Sequence, residues 1–106
     1  MCEQKIYSKL QDITKVVNSI LSNDKNDLTE IRYLGIFRYV LNLLKEDYLF
    51  ILNNSYFNKS YRFWWLDFYS KTSYYRKRFF AVNSFVSLFE MIYENFNDSP
   101  IYLTYA

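Results

Sequence analysis

Histidine is absent from this 106-residue chain, and glycine, proline and cysteine occur once each. Each scarcity removes a class of function. Without histidine the chain lacks the side chain that most readily moves protons near neutral pH and most often ligates metals. With Gly35 as the only glycine there is no glycine-rich loop whose backbone could close around a phosphate. Cys2 has no partner, so neither a disulfide framework nor a cysteine metal site is available and a reducing compartment is expected. The carboxylate pairs Glu46/Asp47 and Glu90/Glu94 read as solvated helix faces, and the acids do not have the spacing of a calcium loop. The expectation is a protein that is not an enzyme, with no cofactor and no metal. The longest strongly apolar run, residues 48–52, is far below the roughly 20 residues needed to cross a bilayer. No basic-then-apolar leader opens the sequence. A cytoplasmic protein without a membrane span is therefore expected.

What the chain has instead is rings. Aromatic residues are 23% of it, with 12 Tyr, 10 Phe and 2 Trp, enough to fill one small core from few positions. Scarce Gly and Pro remove the punctuation of hairpins and favour helices. The net charge of +2 hides an asymmetry. Residues 59–78 hold Lys59, Arg62, Lys71, Arg76, Lys77 and Arg78 against Asp67 alone, a local +5, while seven basic and ten acidic residues elsewhere leave −3. A basic segment on an otherwise acidic chain suits an anionic partner such as nucleic acid; the plainer alternative is a solvated basic face.

The apolar periodicity gives an all-α, single-domain bundle of about five helices spanning residues 1–106. In residues 4–22, Ile6, Leu10, Ile13, Val16, Val17, Ile20 and Leu21 recur at three- and four-residue steps. Asp27 and Glu30 then have the spacing of a capping box and open a second helix with Leu28, Ile31, Leu34, Phe37, Val40, Leu41 and Leu44 on its apolar face. Residues 1–43 thus form an N-terminal helical pair. Residues 48–53 read as a short buried helix, Ser60 as the cap of a helix running to about Tyr69, and Ser70 as the cap of a long helix over 71–97. On that last helix Tyr74, Ala81, Phe85, Leu88, Phe89 and Ile92 line one face. Residues 98–106, with Pro100 near their start, read as a tail that lies extended or frays.

The order in residues 44–82 carries a resemblance. Leu44-Lys45-Glu46-Asp47 precedes an apolar short helix, Tyr56-Phe57 and a capped segment at Ser60. Ser70-Lys71-Thr72-Ser73-Tyr74-Tyr75-Arg76-Lys77-Arg78 follows, ending in Ala81. This resembles sigma-factor region 4, and still more the sigma-like helix-turn-helix of phage ArpU-type transcriptional regulators. The likeness implies that residues 44–97 contain a helix-turn-helix segment, that the protein binds double-stranded DNA as a transcriptional regulator, and that Ser70–Arg78 begins the recognition helix. It departs from the pattern where Trp64 and Trp65 replace the usual small residue, and where Phe68-Tyr69 occupy the turn. RNA polymerase or a second copy of the chain would be the further partner, because one such module touches few base pairs.

At 100° per residue, Thr72, Arg76 and Asn83 fall within about 40° of one another, opposite the apolar stripe. They are the candidate base-facing residues: Arg76 as a fork for guanine, Asn83 for adenine, Thr72 for a phosphate or a thymine methyl. Lys71, Lys77 and Arg78 are the candidate phosphate contacts, although Arg78 lies nearer the apolar face, where it would snorkel or pair with an acid. No acid lies between Asp67 and Glu90 in sequence, which would leave these cations free for nucleic acid. The alternative is a non-enzymatic protein-interaction or structural module that uses the basic, aromatic face.

Overall fold

A computed structural model describes residues 3–97, with side chains placed for residues 4–95. The tail 98–106 and Cys2, both considered above, lie outside the described residues. Four α-helices account for most of the chain: α1 (Glu3–Ser22), α2 (Leu28–Leu43), α3 (Glu46–Leu52) and α4 (Lys71–Asn97). Between α3 and α4 lie a π-helical turn at Asn53–Phe57 and a 3-10 turn at Trp64–Asp67. The architecture is an all-α single domain, and among the described residues no helix is long and apolar enough to cross a membrane.

Where the sequence supplies both periodicity and a cap, the helices start as expected. The Asp27 carboxylate accepts the Glu30 N–H at 2.8 Å and Glu30 accepts the Asp27 N–H at 3.1 Å, the full capping box. Ser70 accepts the Ser73 N–H at 3.2 Å and its carbonyl accepts Tyr74 N–H at 2.8 Å, which starts α4 at Lys71.

Helix α4 is the axis of the fold, and α1, α2 and α3 all pack on it. Its stripe of Tyr74, Ala81, Val82, Phe85, Val86, Phe89 and Ile92 is buried against Ile6, Leu10, Ile13 and Val17 of α1, Ile36, Phe37 and Val40 of α2, and Ile51 and Leu52. Edge-to-face rings lock α2 onto it, with Tyr33 5.1 Å from Phe89 and Phe37 5.5 Å from Phe85. One ion pair, Lys9 with Glu90 at 3.0 Å, ties α1 to α4 at the surface.

Three expectations need correction. The apolar face of α2 is rotated: Ile36 is buried, while Leu28 and Ile31 are exposed, because Tyr33 and Phe37 take the places facing α4. Val16 and Leu21 of α1 are likewise exposed. The largest difference is residues 60–69, which form no α-helix. Ser60 caps nothing: its Oγ donates to the Asn54 carboxamide oxygen at 2.6 Å and its N–H to the Asn54 carbonyl at 2.9 Å, so it closes the π turn instead. Six of the nine residues 61–69 are aromatic, and such side chains lose χ1 freedom against a preceding helical turn. Burial of Trp64 and Trp65 on Tyr74, one ring edge-on at 5.8 Å and the other stacked at 4.6 Å, prevails over the weak helical preference. The first helix of a helix-turn-helix is thereby missing, and four α-helices with two irregular turns replace the expected five.

Candidate interaction face

The basic segment is divided by the fold into cations that are used internally and cations that face solvent. Lys77, expected as a phosphate contact, donates to the Asp47 carboxylate at 2.7 Å, and its ammonium lies 5.9 Å from the centre of the Tyr69 ring. Tyr69 donates its hydroxyl to the other Asp47 oxygen. Hydrogen bonds from Lys77 and Tyr69 hold the Asp47 carboxyl below its usual range, while burial and the Asp47 bond push the Tyr69 hydroxyl up to about 12. The acid missing between Asp67 and Glu90 in sequence is thus supplied by α3, thirty residues from Lys77. Lys77 is correctly placed on α4 and wrongly expected to be free.

Arg78 is also drawn inward. Its guanidinium sits half-buried, 4.8 Å from the centre of the Tyr75 ring, 5.0 Å from Tyr7 and 5.8 Å from Tyr74. Its Nε–H is buried and bonded to no described atom. Among the described residues no carboxylate pairs with it. Arg78, expected to snorkel or to pair with an acid, instead has its head taken into a tyrosine cage. Tyr56 beside it is pushed up to about 12 by burial, with Arg78 opposing that shift.

Lys71, Thr72 and Arg76 remain on the surface. All three are exposed, and among the described residues neither Lys71 nor Arg76 forms an ion pair. Asn83 is half-buried and two turns further along, so the expected trio is only partly brought together at the surface. Arg62 and Lys59 are exposed in the connection before α4, with Arg62 5.2 Å from the centre of the Phe63 ring.

The feature the sequence did not single out lies in residues 61–68. Burying Trp64 and Trp65 turns their neighbours outward: Tyr61, Phe63, Leu66 and Phe68 are 48 to 65% exposed. Phe68 is held 5.1 Å from Phe50 of α3 and 6.1 Å from Trp64, so this apolar surface rests on a fixed base. Packing of the two indoles leaves these side chains exposed in a stretch that also exposes Arg62 and is flanked by exposed Lys59, Lys71 and Arg76. Among the described residues no group of His, Cys, Asp and Glu is arranged to hold a metal ion. In comparisons with protein-family models, curated proteins and solved structures, the chain matches none.

Proposed function

We propose that the protein is a non-enzymatic interaction module that docks an acidic partner protein through residues 61–68 and the first turns of α4. The observation that carries this reading is the exposure of Tyr61, Phe63, Leu66 and Phe68 on a rigid aromatic base. Large rings and arginine supply the anchors of protein interfaces, and exposed apolar surface rimmed by charge marks them. Arg62, Lys71 and Arg76 are exposed in the same segment, whose sign suits a partner carrying carboxylates. The test is affinity capture with the intact chain as bait beside Leu66→Ser/Phe68→Ser and Arg62→Glu baits. The expected result is a captured protein lost from both variants while far-UV dichroism stays unchanged. A capture profile indifferent to both substitutions sinks the reading.

A second reading keeps double-stranded DNA as the partner and transcription regulation as the role, with α4 entering the groove without a preceding helix. It is favoured by Lys71, Thr72 and Arg76, which are exposed within six residues of one helix. Lys77 and Arg78 are engaged elsewhere, so two cations on α4 remain for phosphates. The logarithm of affinity should then fall with that of salt at a slope of about −1.8, half of what four free cations would give. Fluorescence anisotropy with a labelled duplex measures it, and no binding at low salt removes DNA as a partner of the isolated chain. RNA polymerase or a second copy of the chain remains the complementary contact under this reading.

A further inference from the structure

A cleft of about 240 Å³ opens between the π turn and the start of α4, on the side where Arg78 lies. Lys59, Arg62 and Arg78 line it, together with the hydroxyl-bearing Ser60, Tyr56 and Tyr61, and no carboxylate does. Three cations line one cleft without an acid, and for Arg78, which is half-buried, the lack of a counter-charge is costly. The aromatic cage compensates through ring faces only, and one guanidinium N–H, Nε, remains buried and unbonded. The backbone points the same way. A π-helical turn is rare and is frequently found at functional sites; here Asn53–Phe57 adopts one, and its Asn54, Ser55 and Tyr56 all reach the cleft wall. Ser55 bonds Tyr74 at 2.8 Å and Ser60 bonds Asn54 at 2.6 Å, so the wall is pre-set by its own hydrogen bonds.

We propose that this cleft binds a phosphate monoester, with Arg78, Arg62 and Lys59 around the phosphate oxygens and the hydroxyl of Tyr56 as a further donor. A planar guanidinium and two mobile cations match a tetrahedral dianion better than they match a single carboxylate. Tyr61, 65% exposed at the cleft, offers a ring on which the base of a nucleotide would stack. The site shares Tyr61 and Arg62 with the docking surface but does not depend on the docking reading, because its ligand is small and Lys59 and Arg78 belong to the cleft alone.

Isothermal titration calorimetry at about 20 mM salt, where screening is weak, tests it with inorganic phosphate, adenosine monophosphate and adenosine as titrants. The expected result is saturable binding of a phosphate-bearing titrant with a dissociation constant of about 0.1–1 mM. The double substitution Lys59→Ala/Arg62→Ala, at exposed positions that the core does not use, should weaken it at least about tenfold. Arg78→Lys, which keeps the charge and loses the planar fork, should weaken it as well. Tighter binding of adenosine monophosphate than of phosphate assigns the site to a nucleotide, and equal binding assigns it to phosphate itself. No saturation up to about 10 mM, an affinity unchanged in the double variant, or adenosine binding as tightly as its monophosphate overturns the proposal.

Discussion

Along residues 81–92, the buried face of α4 is covered mainly by aliphatic and phenyl side chains, with Tyr33 on Phe89 and the Lys9–Glu90 pair at its edge, whereas along residues 71–80 its neighbours are tyrosines, indoles and ions. In the first region Phe85, Ala81, Val82 and Val86 are fully enclosed, and hydrophobic burial dominates the packing. In the second, Trp65 stacks on Tyr74, Tyr74 bonds Ser55, Lys77 bonds Asp47 and Arg78 fills a cage of rings. The 81–92 end of the helix makes the core, and the 71–80 end carries Lys71, Arg76 and Arg78 beside the connection that bears the exposed rings. The division matters because polar contacts have directions. They fix side chains at a surface, while dispersion and burial fix only a volume.

Substitutions can break or sharpen this comparison. Phe85→Ala removes the most enclosed ring of the first region and should cost about 3–5 kcal/mol in urea unfolding, since a fully buried phenyl leaves a cavity. A loss below about 1 kcal/mol would mean that the region is not closed. Tyr74→Phe keeps the stack on Trp65 and deletes only the hydroxyl that bonds Ser55, so about 1 kcal/mol is expected. A loss as large as that of Phe85→Ala would erase the distinction between the two ends. Asp47→Asn should cost about 0.2–1 kcal/mol, because the pair with Lys77 is more than a third exposed and screened. Its signature is in pH. The Asp47 carboxyl is held below the usual 3.8, so its contribution is complete above about pH 4 and disappears as pH falls through the lowered folded value. The acid limb of the wild-type stability curve should be flatter in Asp47→Asn. Phe68→Ser should change stability least, by about 0.5 kcal/mol or less, because 60% of the residue is already in water.

The same division governs how much the sequence discloses. Helix α1 is legible from its 3.6-residue repeat, and α2 and α4 because that repeat meets a local cap: Asp27 with Glu30, and Ser70 with Ser73, are bonds between residues three apart. Phe85 in the core follows from the same repeat. Residues 60–69 mislead because Ser60 offers a plausible cap, while its real partner, Asn54, lies in a π turn that no periodicity announces. At the candidate face, Lys71, Thr72 and Arg76 are surface residues as the helical projection suggests. Lys77 departs from it because its partner Asp47 is 30 residues away, and Arg78 because Tyr7, about 70 residues away, completes with Tyr74 and Tyr75 a cage that no local pattern shows. The outward rings of 61–68 were hidden for the converse reason, since only the joint burial of Trp64 and Trp65 reveals which neighbours are left outside.

The placement of the two indoles has an optical consequence. Both touch Tyr74, at the polar end of α4, and the aliphatic end contains no tryptophan. Emission excited above the tyrosine band therefore reports on one half of the molecule, while far-UV dichroism reports on all four helices. In a denaturant titration the two signals superimpose if α4 transmits cooperativity along its whole length, about 40 Å at 1.5 Å per residue. If the emission midpoint comes first, the partner-facing end opens as a unit of its own while the aliphatic end stays folded.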